Sequence, residues 1–586
     1  VPSHDAPPAA PTDEPRLCFD SSRRLPGPNR YYTESAVTLT PLGRFGGDAA
    51  VHGAWAARVR DVAAALGWPD PQPRSVRRTS GALLVFRAPP EVLFTATDVN
   101  EWAWERAAHD AGESGFDLAQ DLGADALAVF AARAAAERRP EIVALRAAAL
   151  AQGLSLIEDD AQLSLGGGAG SRTWPRDAPP TIDAVPWSEL HEIPTLLVTG
   201  SNGKTTTVRL IAAIAAAAGL TPGLCSTEGI EIGGERCTPG DYAGPDGARA
   251  VLRDRRVEIA ILETARGGIL RRGLAVRRAD AAVVTNVSPD HLGEYGVEDA
   301  ADLAETKLVV ARALESGGTL ILNADDAALS SALARLPHAA RVRRALFAAD
   351  YDHSALVGLR ANHGSTCGAR GGELLIHHGH GEHSLGPVAE MPLCVGGAAP
   401  YNVANLSAAA LGAAALNLPI DAIIATLRRF GAAPSDNPGR LERWTHRGAT
   451  VLIDYAHNPD GLASLLGVAR AMRPQRLGLL LGQAGNRDDS AIGDLARTAA
   501  RFDPDRIVIK ELPLMLRGRA LGEVPVLLER ALAQAGVEPG RIEIEADEEA
   551  AALRLLEAAG PGDVIVLPVH TNSVRERLRA RLKLVQ

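Results

Sequence analysis

Short apolar runs separated by longer helical stretches dominate most of this chain. From about Ile193, the runs Thr195–Val198, Ile259–Leu262, Ala281–Thr285 and Thr319–Leu322 read as buried strands. Alanine-rich helical patterns such as Val208–Ala218 lie between several of them. That alternation predicts a mostly parallel sheet with helices on both faces. Ser365–Val395 is glycine-rich and hairpin-like, and helices are expected at Ala404–Ala415 and Ile420–Phe430. After Ser435-Asp436-Asn437-Pro438-Gly439 a second alternating unit begins, with strands Val451–Ile453, Leu477–Leu481, Arg506–Ile509 and Val564–Leu567. It predicts a separate dinucleotide-fold-like domain. Earlier in the chain, helix-like Ala54–Leu66, strand-like Gly81–Phe86 and helix-like Asp121–Glu137 give an α+β pattern. Gly166-Gly167-Gly168-Ala169-Gly170-Ser171 and the proline-containing run to Pro186 read as a linker. The expected divisions are a disordered 1–16, an α+β domain over 17–165, a linker over 166–190, a central α/β domain over 191–433 and a C-terminal α/β domain over 434–586.

Composition narrows the partners. With 586 residues, the chain suits several domains rather than one core. A net charge of −10 argues against a nucleic-acid binder, because neutralising phosphates takes surplus Lys and Arg. No uninterrupted apolar run reaches the ~20 residues of a membrane span, and the acidic, proline-rich start lacks a signal-peptide core. Five scattered cysteines without C-x-x-C spacing read as free thiols in a reducing cytoplasm.

The densest chemistry lies in Thr199-Gly200-Ser201-Asn202-Gly203-Lys204-Thr205-Thr206-Thr207, between an apolar strand and a helical pattern. Amides at a helix N-terminus point at an anion. Glycines allow close approach, Lys204 adds a point charge, and a hydroxyl after it can hold Mg²⁺. The common P-loop spacing places a glycine where Val198 stands, so this is a compact G-x-x-G-K-T form. Three threonines after a lysine make little sense in a merely structural turn. The loop is read as a nucleoside triphosphate cradle.

Further strand ends fall on the same expected edge. Glu263 closes one strand and can hold Mg²⁺. Another runs through Thr285-Asn286 to Asp290-His291. Taken singly, these are equally readable as a capping acid or a surface histidine; together with Lys204 they point to a site. Asp454, after a C-terminal strand, is placed to take ribose hydroxyls. Arg266, Arg271 and Arg272 suit a solvated helix face and an anion or carboxylate site equally well. His377, His378, His380 and His383 lack paired ligand spacing and read as an exposed hairpin rather than a metal site.

In order, Thr199–Thr207, the Glu263 strand end, Asn286–His291, Leu322-Asn323-Ala324-Asp325-Asp326, Asn402–Asn405 and Asp454–Asp460 resemble the Mur ligase superfamily. Within it, Gly244-Pro245, Val251–Asp254, Leu262–Leu274 (LETARGGILRRGL) and Asp290-His291-Leu292-Gly293 are similar to the Mur-like half of cyanophycin synthetases, which add arginine to a polyaspartate backbone. Leu25–Asn29 is similar to the start of their N-terminal domain. Their ATP-grasp module has no room between Leu165 and Ile193, so the chain is not expected to extend an aspartate backbone by itself.

The resemblance implies an α/β fold with a central P-loop Mur-type ATPase domain and a Rossmann-like C-terminal domain. It implies an ATP-dependent ligase using Mg²⁺, an amino acid and a carboxylate-bearing acceptor, such as an Asp-containing peptide or polymer. Gly200, Ser201, Asn202, Gly203, Lys204, Thr205 and Thr206 would hold phosphates. Thr205, Glu263 and His291 would hold metal. Lys307 matches a lysine that is carbamylated in some relatives. Asn402 and Asn405 match an adenine-side motif, Arg440 and Asp454 match nucleotide contacts, and His457 would face the phosphates. Arg266 and Arg271 would serve the substrate. Tyr401 replaces a common His, and Ala243 a common hydroxyl residue. An accessory partner of a full-length cyanophycin synthetase is the alternative, and a homo-oligomer is compatible with either.

Overall fold

A computed structural model describes residues 17–79, 81–114, 122, 125–288, 293–336, 342–379 and 381–583. The segment expected to be disordered, 1–16, lies outside them, as do Asp290, His291 and His380. The chain divides into two compact units. One comprises residues up to Leu145 together with Arg271–Gly273, and the other comprises Arg146–Leu270 and Leu274 onward. The boundary between these units falls between Leu145 and Arg146.

In the first unit, β1 (Phe19–Leu25), β2 (Ala36–Pro41), β3 (Arg74–Arg78) and β4 (Gly81–Arg87) form an antiparallel sheet in the order β1-β2-β4-β3. Helices α1 (Ala49–Ala65) and α2 (Leu93–Asp110) pack their Val51, Trp55, Val59, Val99 and Trp104 into one core with Val37, Leu39, Leu84 and Phe86. The first helix starts before the expected Ala54 because Asp48 Oδ1 accepts from the amides of Ala50 and Val51. Helices α3 (Ala126–Glu137) and α4 (Pro140–Ala151) follow.

The stretch expected to be a linker is ordered. Strands β5 (Leu156–Glu158), β6 (Gln162–Leu165) and β7 (Arg172–Pro175) form a small antiparallel sheet. Its glycines serve close packing. The Ala169 amide donates to the Val257 carbonyl at 2.7 Å, and the Gly167 amide to that of His191 at 3.0 Å. A Cβ on Gly168 would run into the Val257 carbonyl.

The rest of the second unit holds two wound sheets. The first contains β8 (Thr195–Thr199), α5 (Lys204–Ala217), β9 (Pro222–Ser226), β10 (Gly229–Ile232), β11 (Glu235–Pro239), α6 (Pro245–Arg253), β12 (Ile259–Glu263), α7 (Arg266–Arg272), β13 (Ala279–Val284), α8 (Ala300–Lys307), β14 (Leu314–Asn323), α9 (Ala327–Ala334), β15 (Arg343–Asp350), α10 (Ser354–Arg360), β16 (Ser365–Arg370), β17 (Glu373–His378) and β18 (Gly381–Pro387). Helices α11 (Tyr401–Ala415) and α12 (Ile420–Leu427) complete it. Among the described residues the strand order is β11-β10-β9-β12-β8-β13-β14-β15-β16-β17-β18. Pairing is parallel from β9 to β16, with antiparallel hairpins at both ends. One face packs on α5, α11 and α12 through Val208, Ile211, Leu406 and Ile423. The other buries Val251, Leu308 and Leu329.

The second sheet is built from β19 (Glu442–His446), β20 (Ala449–Asp454), α13 (Pro459–Ala471), β21 (Leu477–Leu481), α14 (Asp489–Ala500), β22 (Arg506–Ile509), α15 (Glu523–Gln534), β23 (Ile542–Ile544), α16 (Glu548–Ala558), β24 (Val564–Pro568) and α17 (Asn572–Lys583). Its order is β19-β20-β24-β21-β22-β23, parallel except for the β19–β20 hairpin. Both faces carry apolar cores, as a doubly wound sheet requires. No helix among the described residues is long and apolar enough to cross a membrane.

Candidate functional site

The phosphate-type loop joins β8 to α5 where the strand order changes direction, between β8 and β13. Crevices at such points of open α/β sheets take ligands. The loop is braced from β13. The Ser201 amide donates to the Asn286 carbonyl and the Asn202 amide to Asn286 Oδ1, both at 2.9 Å, while Thr285 Oγ1 donates to the Asn202 carbonyl at 2.6 Å. Gly203 is left-handed (φ 82°), and a Cβ there would collide with Asn405 Oδ1. Lys204 opens α5, and its Nζ donates to the Ser201 carbonyl at 2.9 Å.

Glu263 ends β12 and is 1% exposed. Thr205 Oγ1 donates to its Oε2 at 2.8 Å, while Oε1 is buried without a hydrogen-bond partner. Burial raises the Glu263 pKa, opposed by Lys204 and the Thr205 bond. A buried, half-satisfied carboxylate beside a threonine hydroxyl is a hard-oxygen set suited to Mg²⁺. Among the described residues no group of three or more His, Cys, Asp and Glu side chains is placed to hold a metal ion. His377 and His378 lie on β17 and His383 on β18.

The C-terminal domain supplies the opposite wall. Arg440 Nη2 donates to Thr205 Oγ1 at 3.3 Å and to Thr227 Oγ1 at 3.1 Å. Asn437 Nδ2 donates to Thr206 Oγ1 at 3.1 Å, and Asn458 Nδ2 to Asn202 Oδ1 at 3.1 Å. Asp454 ends β20 and accepts from the Leu441 amide at 2.7 Å. Burial raises its pKa, against the nearby Arg440. Asn405 Nδ2 donates to Asn402 Oδ1 at 2.8 Å at the start of α11.

These groups enclose a cleft of about 350 Å³. Ser201 to Thr206, Glu263, Asn402, Asn405, Arg440, Asp454 and His457 all line it, with Tyr401 and Tyr455. Gly200 stands at the loop's entry from β8. Arg266, Arg271 and Lys307 do not line it. Arg266 pairs with Glu294, and Asn486 Nδ2 donates to the same Glu294 at 3.0 Å. Arg271 is exposed near the end of α7. Lys307 ends α8 and is 2% exposed, an uncommon burial for lysine. Sequence reasoning passed over Thr227 and treated Asn437 only as part of a break. Its Asn-Pro-Gly setting carried a turn signal and hid a side chain aimed at the loop. All five cysteines are unpaired.

Two family models cover this architecture. Residues 198–413 match the Mur ligase middle domain, and residues 439–568 match the Mur ligase glutamate ligase domain. The cyanophycin synthetase of Synechocystis sp. is 35% identical over 417 residues, which is 70% of this chain and 47% of that protein. The chain spans about half the length of the cyanophycin synthetases it matches. The UDP-N-acetylmuramoyl-L-alanyl-D-glutamate--2,6-diaminopimelate ligase of Chlorobaculum tepidum is 30% identical over 401 residues, 65% of this chain and 72% of that protein. A solved structure of E. coli FolC in complex with DHPP and ADP is 19% identical with a TM-score of 0.49, over 66% of this chain and 88% of that chain. Two domain matches in consecutive order, with a relative matched over most of its own length, place this chain in the Mur ligase family.

Proposed function

We propose that this chain is an ATP-dependent amide ligase that activates an acceptor carboxylate as an acyl phosphate and joins it to an amino acid. The observation that carries this reading is the cleft itself. A phosphate-type loop and a half-satisfied Glu263 on one domain face Arg440 and Asp454 on another. Simple hydrolysis needs no second domain, whereas ligation must hold an amine near an activated carboxylate and keep water away.

A carboxylate is a poor acyl donor because its leaving group is oxide. An acceptor oxygen attacks the γ-phosphorus of ATP, forming one P–O bond and releasing ADP. The amine nitrogen then attacks the acyl carbon, the C–O bond to phosphate breaks, and one proton is lost. Lys204 and the loop amides offset charge on the transferring group. Arg440 adds a second cation from the opposite wall. Asn402 and Asn405 serve the base end and Asp454 the ribose. Thr205 and Glu263 would hold Mg²⁺, which supplies charge neutralisation at the phosphates.

The acceptor in this reading is an aspartate-containing peptide or polymer, and the amino acid is arginine first. Its support is the Leu262–Leu274 string and the 35% identity to cyanophycin synthetases. The test combines ATP, Mg²⁺, each of the standard amino acids and a panel of Asp- and Glu-containing peptides. Phosphate release should require both acceptor and amino acid, and the product mass should equal their sum less one water. Lys204→Ala should lower the rate about 10²–10³-fold; unchanged ligation by that variant would sink the mechanism. A folded, ATP-binding chain that is silent across the panel would favour an accessory role beside a full-length synthetase.

A further inference from the structure

Glu228, just after β9, meets Arg575 of α17 across the domain junction. They are 2% and 1% exposed. Arg575 Nη2 lies 2.7 Å from both Glu228 carboxylate oxygens, and Nη1 donates to the Val569 carbonyl at 3.2 Å. Taking two charges out of water costs about what their attraction returns, so such a pair is weak evidence for stability. Its value here lies in a third member. Glu228 Oε1 is also 3.5 Å from Arg440 Nη1. Arg440 in turn points its other terminal nitrogen at Thr205 and Thr227. Both guanidiniums lie near the Tyr455 ring, 4.7 Å from its centroid for Arg440 and 5.4 Å for Arg575. Without an anion between them these cations would repel; Glu228 and the electron-rich ring hold them side by side.

We propose that Glu228 and Arg575 are positioning residues for the nucleotide site, fixing Arg440 against the phosphate loop so that it meets the triphosphate. This rests on the reading of the cleft as an ATP site. Neither residue lines the cleft. Each acts through Arg440, Glu228 as its counter-ion and Arg575 as the clamp on Glu228. With Glu228 neutral, Arg440 loses the carboxylate it pairs with, keeps Arg575 as a like-charged neighbour, and is freed from its place against Thr205.

A double-mutant cycle tests this by titrating ATP with Mg²⁺ calorimetrically into the wild type, Glu228→Gln, Arg440→Ala and the double variant. Each single change should weaken ATP about tenfold, and the double should be within about twofold of the weaker single. Losses that multiply to about a hundredfold would overturn the proposal. Because Glu228→Gln alone strands a buried guanidinium, Glu228→Gln/Arg575→Met removes both charges while keeping bulk beside Tyr455. It should stay folded and still bind ATP about tenfold more weakly; wild-type affinity in this variant also overturns the proposal. A wild type that binds no ATP defeats the ATP reading and this proposal together. A wild type that binds, with independent losses, defeats this proposal alone.

Discussion

The carboxyl edges of the two wound sheets carry similar residues put to opposite uses. On the central sheet, Glu263 ends β12 with one oxygen unsatisfied and faces the cleft. On the C-terminal sheet, Lys510 follows β22 and is fully buried. Its Nζ donates to Glu548 Oε1 and the Pro568 carbonyl and lies 2.9 Å from His570 Nδ1. Glu548 also accepts from the amides of His570 at 2.8 Å and Thr571 at 3.0 Å. The two carboxylates titrate in opposite directions. Burial raises Glu263 despite Lys204, whereas at Glu548 burial is outweighed by Lys510 and the pKa falls. A buried acid left half-satisfied weakens the empty fold and is available to a ligand. A saturated one belongs to the framework.

The sharpest way to break that contrast is a matched pair of substitutions. Glu548→Gln should cost about 3–5 kcal/mol in urea unfolding, because Lys510 is left buried and unpaired. Glu263→Gln should leave stability unchanged or higher, while Mg²⁺-dependent phosphate release falls. Equal losses in the two variants would end the distinction. Next in size is Gly203→Ala, where a side chain in the left-handed region costs about 1–2 kcal/mol. Its Cβ also displaces Asn405, so ATP binding measured by calorimetry should weaken beyond what the stability loss explains.

Acid should act through His570. Burial, and then Lys510, lower its pKa well below 6.5. The neutral ring therefore contributes its stability in full above pH 6.5 and loses it as pH falls from 6.5 toward the folded-state value. The slope for one such group is about 1.4 kcal/mol per pH unit. Unfolding curves of His570→Gln between pH 7 and about pH 5.5 should be flatter than wild type by that slope. The smallest effect is expected at Asp547, whose Oδ1 accepts from the Ala550 amide at 2.8 Å and caps α16. Asp547→Ala should cost about 1 kcal/mol in the same assay, and a much larger loss would mean that the cap, rather than the ion pair, secures Glu548.

The same two edges explain what could be read from sequence. The phosphate-type loop was legible because consecutive residues, Gly200 to Thr206, carry the whole signal. Glu263 and Thr285 stood out as polar endings of apolar runs. Lys510 and Glu548 are 38 residues apart, and Glu228 and Arg575 are 347 apart. No local pattern links such partners. Around Gly166–Gly170 the difficulty was different, since glycine runs serve flexible connectors and tight packing alike. Only the Val257 and His191 carbonyls, distant in sequence, decide for packing. Lys307 shows the reverse case: only the family resemblance singled it out, and its own helical pattern carries no sign that it is buried.

The central sheet ends on both sides in an antiparallel hairpin rather than in a parallel strand. Its outermost strands, β11 with Glu235, Arg236 and Pro239 and β18 with Glu382, His383 and Ser384, are mainly polar and exposed at those positions. A flat apolar border would recruit a second copy by strand addition; charged and proline-bearing borders discourage it. Any self-association of this chain is therefore expected to use side-chain surfaces and to leave the sheet at its own width, rather than to grow ribbons by strand addition.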